Sequence, residues 1–485
     1  MGDSVNQAFV FKTEPYAHQL TALEKSCDLE NYAYFMEMGT GKSKVLIDNL
    51  SHLYTKGKIN AVVIVAPKGV YRNWAQREIP IHLPDFIEKK MYLWTPGESA
   101  SIVKEREELL KPSQELKILV MNVEALSTIK GVKFAWKFIA NHDTLMAVDE
   151  STTIKNPGAK RTKNIIKIGK YCHYRRILTG SPVTRSPMDV YTQSQFLDPA
   201  LLGFSSYYSF RNRYALLVDK HAGGRSFKQV VGYQNLEELN KLLQNFSYRV
   251  LKEDCLDLPD KVYTKREIEM SPEQKKVYKE IQKYAISELS SIGTVSASSV
   301  ITQIIRLHQI SCGFVSTDEG VVKDIPNSRT DELMQILTET EGKAIIWANY
   351  RHDIKRLQTM IAKEYGEESV GTYFGDTSDA DRESLIIKFQ DKDNPLRFFI
   401  GNTQTGGYGI TLTAANTVIY FSNNYDLEKR LQSEDRAHRI GQTNKVTYID
   451  IVCKDTVDEK IVKALRSKLN LAQTVLGEDA WENWL

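Results

Sequence analysis

Strand-length apolar runs alternate with helix-length amphipathic segments along most of this 485-residue chain. In the first half the runs are YAYFM (32–36), AVVIVA (61–66), KILVMN (117–122), TLMAVD (144–149) and RRILTG (175–180). Runs that are apolar at nearly every position are typical of parallel strands that are buried on both faces of a sheet. The first half is therefore predicted to form a doubly wound α/β domain.

The same rhythm returns in the second half, after a stretch that is mainly helical in pattern. Within that stretch, Ser271 and the Glu273–Gln274 pair indicate a capped helix start. The later apolar runs are KAIIWA (343–348), SVGTYF (369–374), RFFIGN (397–402), TVIYF (417–421) and VTYIDIV (446–452). We predict an α/β fold class, with two doubly wound parallel-sheet lobes and a helical insertion between them. The predicted boundaries are 1–200 for the first lobe, 201–330 for the insertion, 331–465 for the second lobe and 466–485 for a C-terminal helical tail.

Composition excludes several classes of protein. With 42% hydrophobic and 26% charged residues, the chain is typical of globular proteins rather than disordered ones. The longest apolar runs are too short to span a membrane, and the N-terminus does not resemble a signal peptide. Five scattered cysteines indicate neither a disulfide framework nor a zinc site. We expect no membrane contact and a cytoplasmic location, or a nuclear one in a eukaryotic host, rather than secretion.

The net charge of +3 is too small to indicate a polyanionic partner, but two local stretches are basic. No Asp or Glu occurs between Ser151 and Met188, a window that holds nine Lys and Arg residues. A second stretch, from Arg211 to Lys228, mixes basic and aromatic residues. A charge run alone is more often a solvated surface, so both stretches depend on their position in the fold.

A glycine-rich loop follows the first predicted strand and precedes a helix-length segment. The loop reads MEMGTGKS, and it ends like a phosphate-binding P-loop although Met36 stands where that pattern has its first glycine. Gly39 and Gly41 allow backbone N–H groups to converge on phosphate oxygens. Lys42 supplies a positive charge and Ser43 a hydroxyl for Mg²⁺. The order of strand, loop and helix favours a nucleotide site over a structural turn.

Two further groups of polar residues fit ATP hydrolysis. Asp149 and Glu150 follow an apolar run, where an aspartate can hold Mg²⁺ and a glutamate can polarise the attacking water. Gln432, Arg436 and Arg439 occur at helical spacing, so both guanidinium groups are expected on one helix face. An arginine pair at this place in a second α/β domain can offset the charge that develops on a γ-phosphate.

Longer stretches resemble the Swi/Snf-like branch of the superfamily-two helicase-like ATPases, from about Pro15 to about Val462. EPYAHQ is similar to that family's adenine-reading segment, with Gln19 as its glutamine, and MEMGTGKS to its first motif, which also lacks the opening glycine. VVIVAPKGVYRNWAQREI, VDESTTIKN and LTGSPVTRSPMDVYTQSQFLDP are similar to further motifs of the first lobe. GNTQTGGYGITLTAANTVIYF and QSEDRAHRIGQTNKV match the fifth and sixth motifs. One departure is that Ser151 and Thr152 replace the usual small residue and histidine of the acidic motif.

The resemblance implies two RecA-like lobes that close on ATP and Mg²⁺ and drive a monomeric motor along duplex DNA, with branched or fork DNA as a further substrate. The residues implied to bind ATP are Gln19, Gly39, Thr40, Gly41, Lys42, Ser43 and Gly409. Those implied in catalysis are Lys42, Asp149, Glu150, Gln432, Arg436 and Arg439. The implied Mg²⁺ ligands are Ser43 and Asp149.

A motor that tracks DNA must ignore sequence, so its contacts are expected on phosphates. The candidate DNA contacts are Lys68, Asn73, Trp74, Lys155, Asn156, Arg185, Asn349, Arg351, Thr405 and Gly406. Trp74 fits a core aromatic residue equally well. The acid-free window follows the acidic motif directly, which favours DNA over a solvated surface for its lysines and arginines. For the stretch from Arg211 to Lys228, the sequence favours neither DNA binding nor a solvated surface.

Two alternatives to a DNA translocase remain from the sequence. The first is a strand-separating helicase on DNA or RNA, which needs a wedge element that the sequence does not reveal. The second, from another class, is an ATP-gated nucleic-acid-binding scaffold without useful turnover. The presence of Lys42, Asp149, Glu150, Arg436 and Arg439 together argues against the scaffold.

Overall fold

The structure is a computed structural model that describes residues 10–222, 225–291, 297–316, 320–406 and 410–478. Contacts between Cα atoms divide these residues into two compact units. The first unit comprises residues 10–216, 232–257 and 471–478, and the second comprises the other described residues. Among the described helices, none combines the length and the apolar character that a membrane crossing requires.

A seven-stranded parallel sheet forms the centre of the first unit. The strands up to residue 250 are β1 (Asn31–Met36), β2 (Ala61–Ala66), β3 (Lys89–Leu93), β4 (Leu116–Asn122), β5 (Thr144–Asp149), β6 (Tyr174–Leu178), β7 (Ala215–Ala222), β8 (Arg225–Tyr233) and β9 (Ser247–Val250). The order across the sheet is β3-β4-β2-β5-β6-β1-β9, while β7 and β8 form a two-stranded sheet of their own, most of which belongs to the second unit.

Helices follow most of these strands. They are α1 (Ala17–Ser26), α2 (Lys42–Thr55), α3 (Tyr71–Asn73), α4 (Ile79–His82), α5 (Ala100–Leu110), α6 (Ile129–Ala140), α7 (Lys160–Gly169), α8 (Asp189–Leu197), α9 (Tyr207–Tyr214) and α10 (Leu236–Gln244). A π-helical turn covers Trp74–Glu78, and 3₁₀ turns cover Val123–Ser127 and Ser151–Ile154.

Strand β2 shows why the strands are apolar at every position. Its side chains alternate between two separate apolar clusters, one on each face of the sheet. Val63 and Val65 belong to one cluster, whereas Val62 and Ile64 belong to the other. Because helices cover both faces, neither set of side chains meets water, and a strand with one polar face would not fit here.

The second unit contains a six-stranded parallel sheet with the order β10-β17-β16-β13-β15-β14. Its strands and those of a small antiparallel pair are β10 (Lys261–Ile268), β11 (Phe314–Ser316), β12 (Val322–Asp324), β13 (Lys343–Trp347), β14 (Val370–Tyr373), β15 (Phe398–Gly401), β16 (Ala415–Tyr420) and β17 (Val446–Cys453). The helices are α11 (Pro272–Ser291), α12 (Ala297–Cys312), α13 (Arg329–Glu339), α14 (Arg351–Tyr365), α15 (Asp379–Gln390), α16 (Thr403–Gly406), α17 (Leu427–Glu434) and α18 (Val457–Leu476). A 3₁₀ turn covers Glu367–Ser369.

Helix α11 begins with the predicted cap. The Ser271 hydroxyl oxygen accepts a hydrogen bond from the Gln274 backbone N–H at 3.1 Å, and the Ser271 N–H donates to the Gln274 side-chain oxygen at 2.9 Å. This reciprocal pair satisfies two backbone groups at a helix start that have no partner within the helix.

The predicted α/β fold class with two parallel-sheet units is confirmed, and each predicted apolar run overlaps a strand. The stretch 201–330, predicted as mainly helical, contains α9 to α12 and also β7 to β12. Of these strands, β9 pairs with β1 in the first sheet and β10 pairs with β17 in the second. Residues 479–485 of the predicted helical tail lie outside the described residues.

A buried arginine organises the second unit. The Arg329 side chain has no exposed surface and forms an ion pair with Asp458. It also donates hydrogen bonds to the backbone oxygens of Ser311 at 3.1 Å and Ile451 at 2.9 Å. Burial acts to raise the pKa of Asp458, but the Arg329 charge, His308 and the hydrogen bonds from Cys453 and Ser311 together outweigh it and hold that pKa below its ordinary value.

We predict that Arg329→Met destabilises the second unit by ~3–5 kcal/mol, because it leaves the Asp458 carboxylate buried without its cation. Urea unfolding followed by circular dichroism measures this loss. The matched control is Arg266→Met, which breaks a more exposed pair with Glu339 that is expected to contribute ~0–1 kcal/mol. Equal losses in the two variants would contradict the role of the buried pair.

Candidate functional site

The glycine-rich loop lies between the end of β1 and the start of α2, as predicted. Gly39 and Gly41 have φ angles of 86° and 89°, in the left-handed region that favours glycine. Gly41 is the N-cap of α2, so the unpaired N–H groups of the first helical turn lie in this loop. These N–H groups and the positive end of the helix dipole form an anion site that fits a phosphate.

Side chains of the loop turn back onto its own backbone. The Thr40 hydroxyl donates to the Glu37 backbone oxygen at 2.7 Å, and the Lys42 ammonium donates to the same oxygen at 3.3 Å. Lys42 therefore lies across the loop, where its charge is close to the N–H groups that would hold a phosphate. The geometry needs no glycine at position 36, because Met36 is the last residue of β1 and is fully buried.

Gln19 packs directly against the loop. Its amide nitrogen donates to the Thr40 backbone oxygen at 3.0 Å, and its amide oxygen accepts the Tyr16 N–H at 3.1 Å. His18 Nε2 donates to the same Thr40 oxygen at 2.7 Å, a contact that the sequence analysis missed because one histidine carries no spacing signal. The Gln19 side chain is thus held with its polar end at the loop, as its predicted role in ATP binding requires.

The acidic pair lies at the carboxyl end of β5. Asp149 is almost fully buried, and its two oxygens accept hydrogen bonds from Trp74 Nε1 at 2.8 Å and from the Glu150 N–H at 3.0 Å. Burial raises the pKa of Asp149, and the Trp74 bond and the Lys42 charge oppose that rise. Glu150 has a φ of 47°, a left-handed conformation that costs about 1–3 kcal/mol for a residue other than glycine. Such strain is commonly kept at functional sites.

The π-helical turn Trp74–Glu78 brings a second carboxyl group to this site. Glu78 accepts hydrogen bonds from Asn73 Nδ2 at 3.0 Å and from the Ser43 hydroxyl. Burial raises the pKa of Glu78, the neighbouring Asp149 charge adds to the rise, and the two hydrogen bonds oppose it. Glu78 lies within the motif VVIVAPKGVYRNWAQREI, but no spacing in the sequence indicates its role. Single π-helical turns are frequent at functional sites, and this one positions both Trp74 and Glu78.

The donor set fits a magnesium ion. The Ser43 hydroxyl and the carboxyl groups of Asp149 and Glu78 are oxygen donors in one neighbourhood, because the turn Trp74–Glu78 contacts Asp149 through Trp74 and Ser43 through Glu78. Hard oxygen ligands are those that Mg²⁺ prefers, together with water and phosphate oxygens. The predicted ligands Ser43 and Asp149 are therefore compatible with Mg²⁺, and Glu78 is a partner that orients Ser43.

A hydrogen bond joins the acidic segment to the segment after β6. The Ser151 hydroxyl donates to the Gln193 side-chain oxygen at 2.7 Å, and the Gln193 amide donates to the Pro182 backbone oxygen at 2.9 Å. Ser151 and Gln193 are both buried. The substitution noted in the acidic motif thus creates a direct link between the two segments.

In the second unit, the prediction that Arg436 and Arg439 lie on one helix face is wrong. Helix α17 ends at Glu434, so Arg436 and Arg439 lie in the irregular segment that follows it. Both guanidinium groups still point to one place, because each donates to the Ile410 backbone oxygen, at 3.1 Å from Arg436 and 3.3 Å from Arg439. Arg436 Nε also donates to the Gln432 backbone oxygen at 2.7 Å. The pair is brought together by a turn rather than by a helix face.

Gln442 explains why the segment turns here. Its side-chain nitrogen donates to the backbone oxygens of Ala415 at 2.9 Å, Ala437 at 3.1 Å and Thr413 at 3.2 Å. Gly441 has a φ of 99° and allows the reversal that directs Gln442 inward. The run from Arg436 to Gln442 therefore fixes its own conformation, which local helix periodicity does not predict.

The candidate DNA contacts differ in exposure. Four are exposed: Lys68, Asn156, Arg185 and Arg351. Four are half-buried: Asn73, Lys155, Asn349 and Thr405. Two are buried, namely Trp74 and Gly406, and Trp74 matches the core alternative that the sequence left open. Gly409, predicted to bind ATP, lies outside the described residues.

One arginine of the acid-free window is structural. Arg176 has no exposed surface, and its guanidinium donates to the side chain of Asn49 and to backbone oxygens that include those of Glu30 and Ser26. A basic residue buried in this way offers no charge to a partner. The lysines of α7 in the same window are exposed instead.

A glycine-rich loop and an acidic pair at the carboxyl edge of a parallel sheet define a P-loop type of nucleotide-binding unit. The SNF2-related domain matches residues 26–314, which is more than half of the chain, and the helicase conserved C-terminal domain matches residues 328–441. The chain belongs to the SNF2-related domain family of ATP-dependent helicase-like ATPases. The resemblance to the Swi/Snf-like branch is thereby confirmed.

Known relatives extend beyond the region that they share with this chain. A Mycoplasma pneumoniae protein described as an uncharacterized ATP-dependent helicase is 28% identical over 91% of this chain and 40% of its own length. The ATP-dependent helicase brm of Drosophila melanogaster is 26% identical over 91% of this chain and 27% of its own length. The chain thus spans less than half the length of each of these relatives. A solved structure, the Sulfolobus solfataricus SWI2/SNF2 ATPase core in complex with dsDNA, aligns over 99% of this chain and 96% of that chain, with 23% identity and a TM-score of 0.43.

We predict that Gly41→Ala weakens nucleotide binding at least tenfold. A Cβ atom at position 41 would lie 2.1 Å from Gln19 Nε2, in a backbone conformation that L side chains rarely adopt. Titration with a fluorescent ATP analogue measures the loss. Gly57→Ala is the matched control, because Gly57 also has a positive φ but a Cβ atom there meets nothing within 4 Å. Equal binding by the two variants would contradict this account of the loop.

Proposed function

We propose that this protein is a motor that hydrolyses ATP and moves along duplex DNA. The observation that carries the proposal is the Trp74–Asp149 bond beside the glycine-rich loop, because it holds a buried carboxylate where a P-loop nucleotide site needs its metal ligand. Membership of the SNF2-related domain family supports hydrolysis of ATP. Relatives that are described as ATP-dependent helicases support nucleic acid as the partner.

The residues that are predicted to form the ATP site of the first unit each have a role in this proposal. The loop N–H groups and Lys42 hold the β- and γ-phosphates, and Gln19 contacts the base. Ser43 and Asp149 hold Mg²⁺, which supplies positive charge that offsets the phosphate charge when it is bound. Glu150 accepts a proton from the attacking water. Glu78 fixes the Ser43 hydroxyl and is a positioning residue rather than a catalytic one.

The arginine pair of the second unit completes the proposed reaction. Arg436 and Arg439 supply the positive charge that stabilises the γ-phosphate in the transition state, as arginine fingers do. Their donation to one backbone oxygen supports the proposal, because it shows that both side chains reach the same point in the second unit. Gln432 holds Arg436 through its backbone oxygen. In this proposal, repeated cycles of ATP binding and hydrolysis would drive the movement along DNA.

The proposed grip on DNA is through phosphates. Lys68, Asn156 and Arg185 in the first unit, and Arg351 in the second, are exposed side chains that can donate to phosphate oxygens. Asn73 is half-buried and donates to Glu78, which in turn contacts Ser43. A DNA phosphate bound by Asn73 would therefore be three hydrogen bonds away from Ser43, the proposed magnesium ligand. This short path supports a coupling between DNA binding and the nucleotide site.

We predict that Arg436→Ala or Arg439→Ala retains ATP binding and lowers turnover by about 10³-fold or more. Glu150→Gln should also bind ATP and stall, because an amide cannot accept the proton from water. Steady-state phosphate release and binding of a fluorescent ATP analogue measure the two properties separately. Arg266→Ala in the same unit as the arginine pair is the control, and turnover that is unchanged in both arginine variants would remove them from the site.

A second prediction concerns the partner. ATP turnover is expected to be low for the protein alone and to rise strongly with duplex DNA, as coupled movement requires. The measurement compares turnover without nucleic acid, with duplex DNA, and with single-stranded DNA or RNA. Equal rates with and without duplex DNA would refute the coupling, and displacement of a paired strand in the presence of ATP would favour the alternative of a strand-separating helicase. Binding of ATP without any turnover would favour the scaffold.

A further inference from the structure

Two exposed aromatic side chains meet on the surface of the first unit. Trp136 on α6 is 49% exposed, and Tyr171, which follows α7, is 61% exposed. Their ring centroids lie 6.4 Å apart, and the ring planes are nearly perpendicular at 81°. Single exposed apolar residues are ordinary, but a contacting aromatic pair contributed by two separate elements is a formed surface feature.

Exposed lysines flank this pair on both helices. Lys133 and Lys137 on α6 lie three residues before and one residue after Trp136. The lysines contributed by α7 and the residue after it are Lys160, Lys163, Lys167 and Lys170. None of these six lysines forms an ion pair within the part of the chain that the structure describes. We call the six lysines together with Trp136 and Tyr171 the α6–α7 surface.

Acidic residues are few around the same surface, and one of them, Glu98, pairs with Lys130 at the start of α6. Neither α6 nor the window from Ser151 to Met188 contains Asp or Glu. The turn Val123–Ser127, which packs against both helices, carries one exposed acid, Glu124. A helix face that is only solvated commonly pairs its lysines with acids three or four residues away, which relieves like-charge repulsion. On the α6–α7 surface the repulsion between neighbouring lysines is not relieved in this way, so an anionic partner that binds there would be stabilised.

The combination of aromatic rings and lysines indicates which class of anionic partner fits this surface. In duplex DNA the base faces are stacked inside the helix, so exposed rings on a protein cannot stack on them. Single-stranded nucleic acid presents both phosphates and free base faces, and proteins bind it with lysines or arginines around aromatic rings. Lys160 to Lys170 span ~15 Å along the axis of α7, enough for several successive nucleotides. An acidic peptide would form ion pairs with the lysines but would offer no planar bases to stack on the aromatic rings.

We propose that the α6–α7 surface binds single-stranded nucleic acid, with unpaired bases stacked on Trp136 and Tyr171 and phosphates held by the six lysines. This surface shares no residue with the proposed phosphate contacts of the motor, such as Lys68 and Arg185. It would let the protein hold an unpaired strand, such as one arm of a branched substrate, while the motor acts on duplex. The inference needs no bound nucleotide and stands apart from the proposed ATP chemistry.

The first test uses the aromatic pair. Fluorescence anisotropy of labelled 20-nucleotide oligo(dT) and oligo(U) gives the affinity of the whole chain for single-stranded DNA and RNA. Trp136→Ala is expected to weaken binding of the preferred oligonucleotide by about tenfold or more, in the range found for one stacked base, whereas Trp136→Phe keeps most of the affinity. Cross-linking of an oligonucleotide that contains 5-iodouracil, followed by peptide mapping, should identify Trp136 or Tyr171.

The second test uses charge. The triple variant Lys133→Gln, Lys167→Gln and Lys170→Gln should reduce the salt dependence of oligonucleotide binding, with a decrease of about 2 in the slope of log affinity against log salt. The matched control replaces three exposed lysines elsewhere in the first unit, namely Lys58→Gln, Lys104→Gln and Lys241→Gln. The control has the same net charge as the test variant, so a loss confined to the α6–α7 surface supports a local site.

Several outcomes would overturn the proposal. They are unchanged affinity in Trp136→Ala, equal losses in the two lysine triples, and competition by poly-glutamate that matches competition by unlabelled oligonucleotide. Thermal melts of the variants show whether the fold is kept, and a Trp136→Leu variant replaces Trp136→Ala if the latter unfolds. Duplex-stimulated ATP turnover should be unchanged in Trp136→Ala, so a failure of this inference is distinguishable from a failure of the proposed motor function.

Discussion

Parallel strands that are apolar on both faces need helices on both faces, and the rest of the structure depends on this constraint. Once both faces are covered, the edges of the sheet where strands and helices connect are the places left for polar side chains. In the first unit, the glycine-rich loop follows β1 and the acidic pair ends β5, so both lie at the carboxyl edge of the sheet. The chemistry of the site is thus concentrated where the fold leaves room for it.

The site itself is held by neutral donors around the buried carboxylate of Asp149 and the half-buried carboxylate of Glu78. Asp149 is bonded by an indole and a backbone N–H, and Glu78 is bonded by an amide and a hydroxyl. Neutral donors orient a carboxylate without neutralising it, so its charge stays available for a cation. An unpaired buried carboxylate is costly, at ~1–3 kcal/mol or more for a missing hydrogen bond. Trp74 therefore links the apolar core of the first unit to the acid that is proposed to hold magnesium.

Sequence patterns predicted some parts of the molecule and failed for others. The apolar runs identified strands, because a parallel strand imposes its apolar character locally. Helical spacing failed for Arg436 and Arg439, because Gln442 and Gly441 pull that segment into a turn through bonds to distant backbone oxygens. Strands β9 and β10 were missed within the mainly helical stretch, because their polar sequences take strand form by pairing with β1 and β17.

The two α/β sheets, the glycine-rich loop, the acidic pair and the family could all be predicted from the sequence, because each depends on residues that are contiguous in the chain. Three features could be learned only from the folded chain. Trp74 is a partner of Asp149, Glu78 bonds Ser43, and Arg176 is structural rather than exposed. The tertiary structure also decided that Trp136 and Tyr171 meet, although they lie on separate elements. The physical reason is that burial, hydrogen bonding and ring contacts join residues far apart in the chain, which local spacing cannot express.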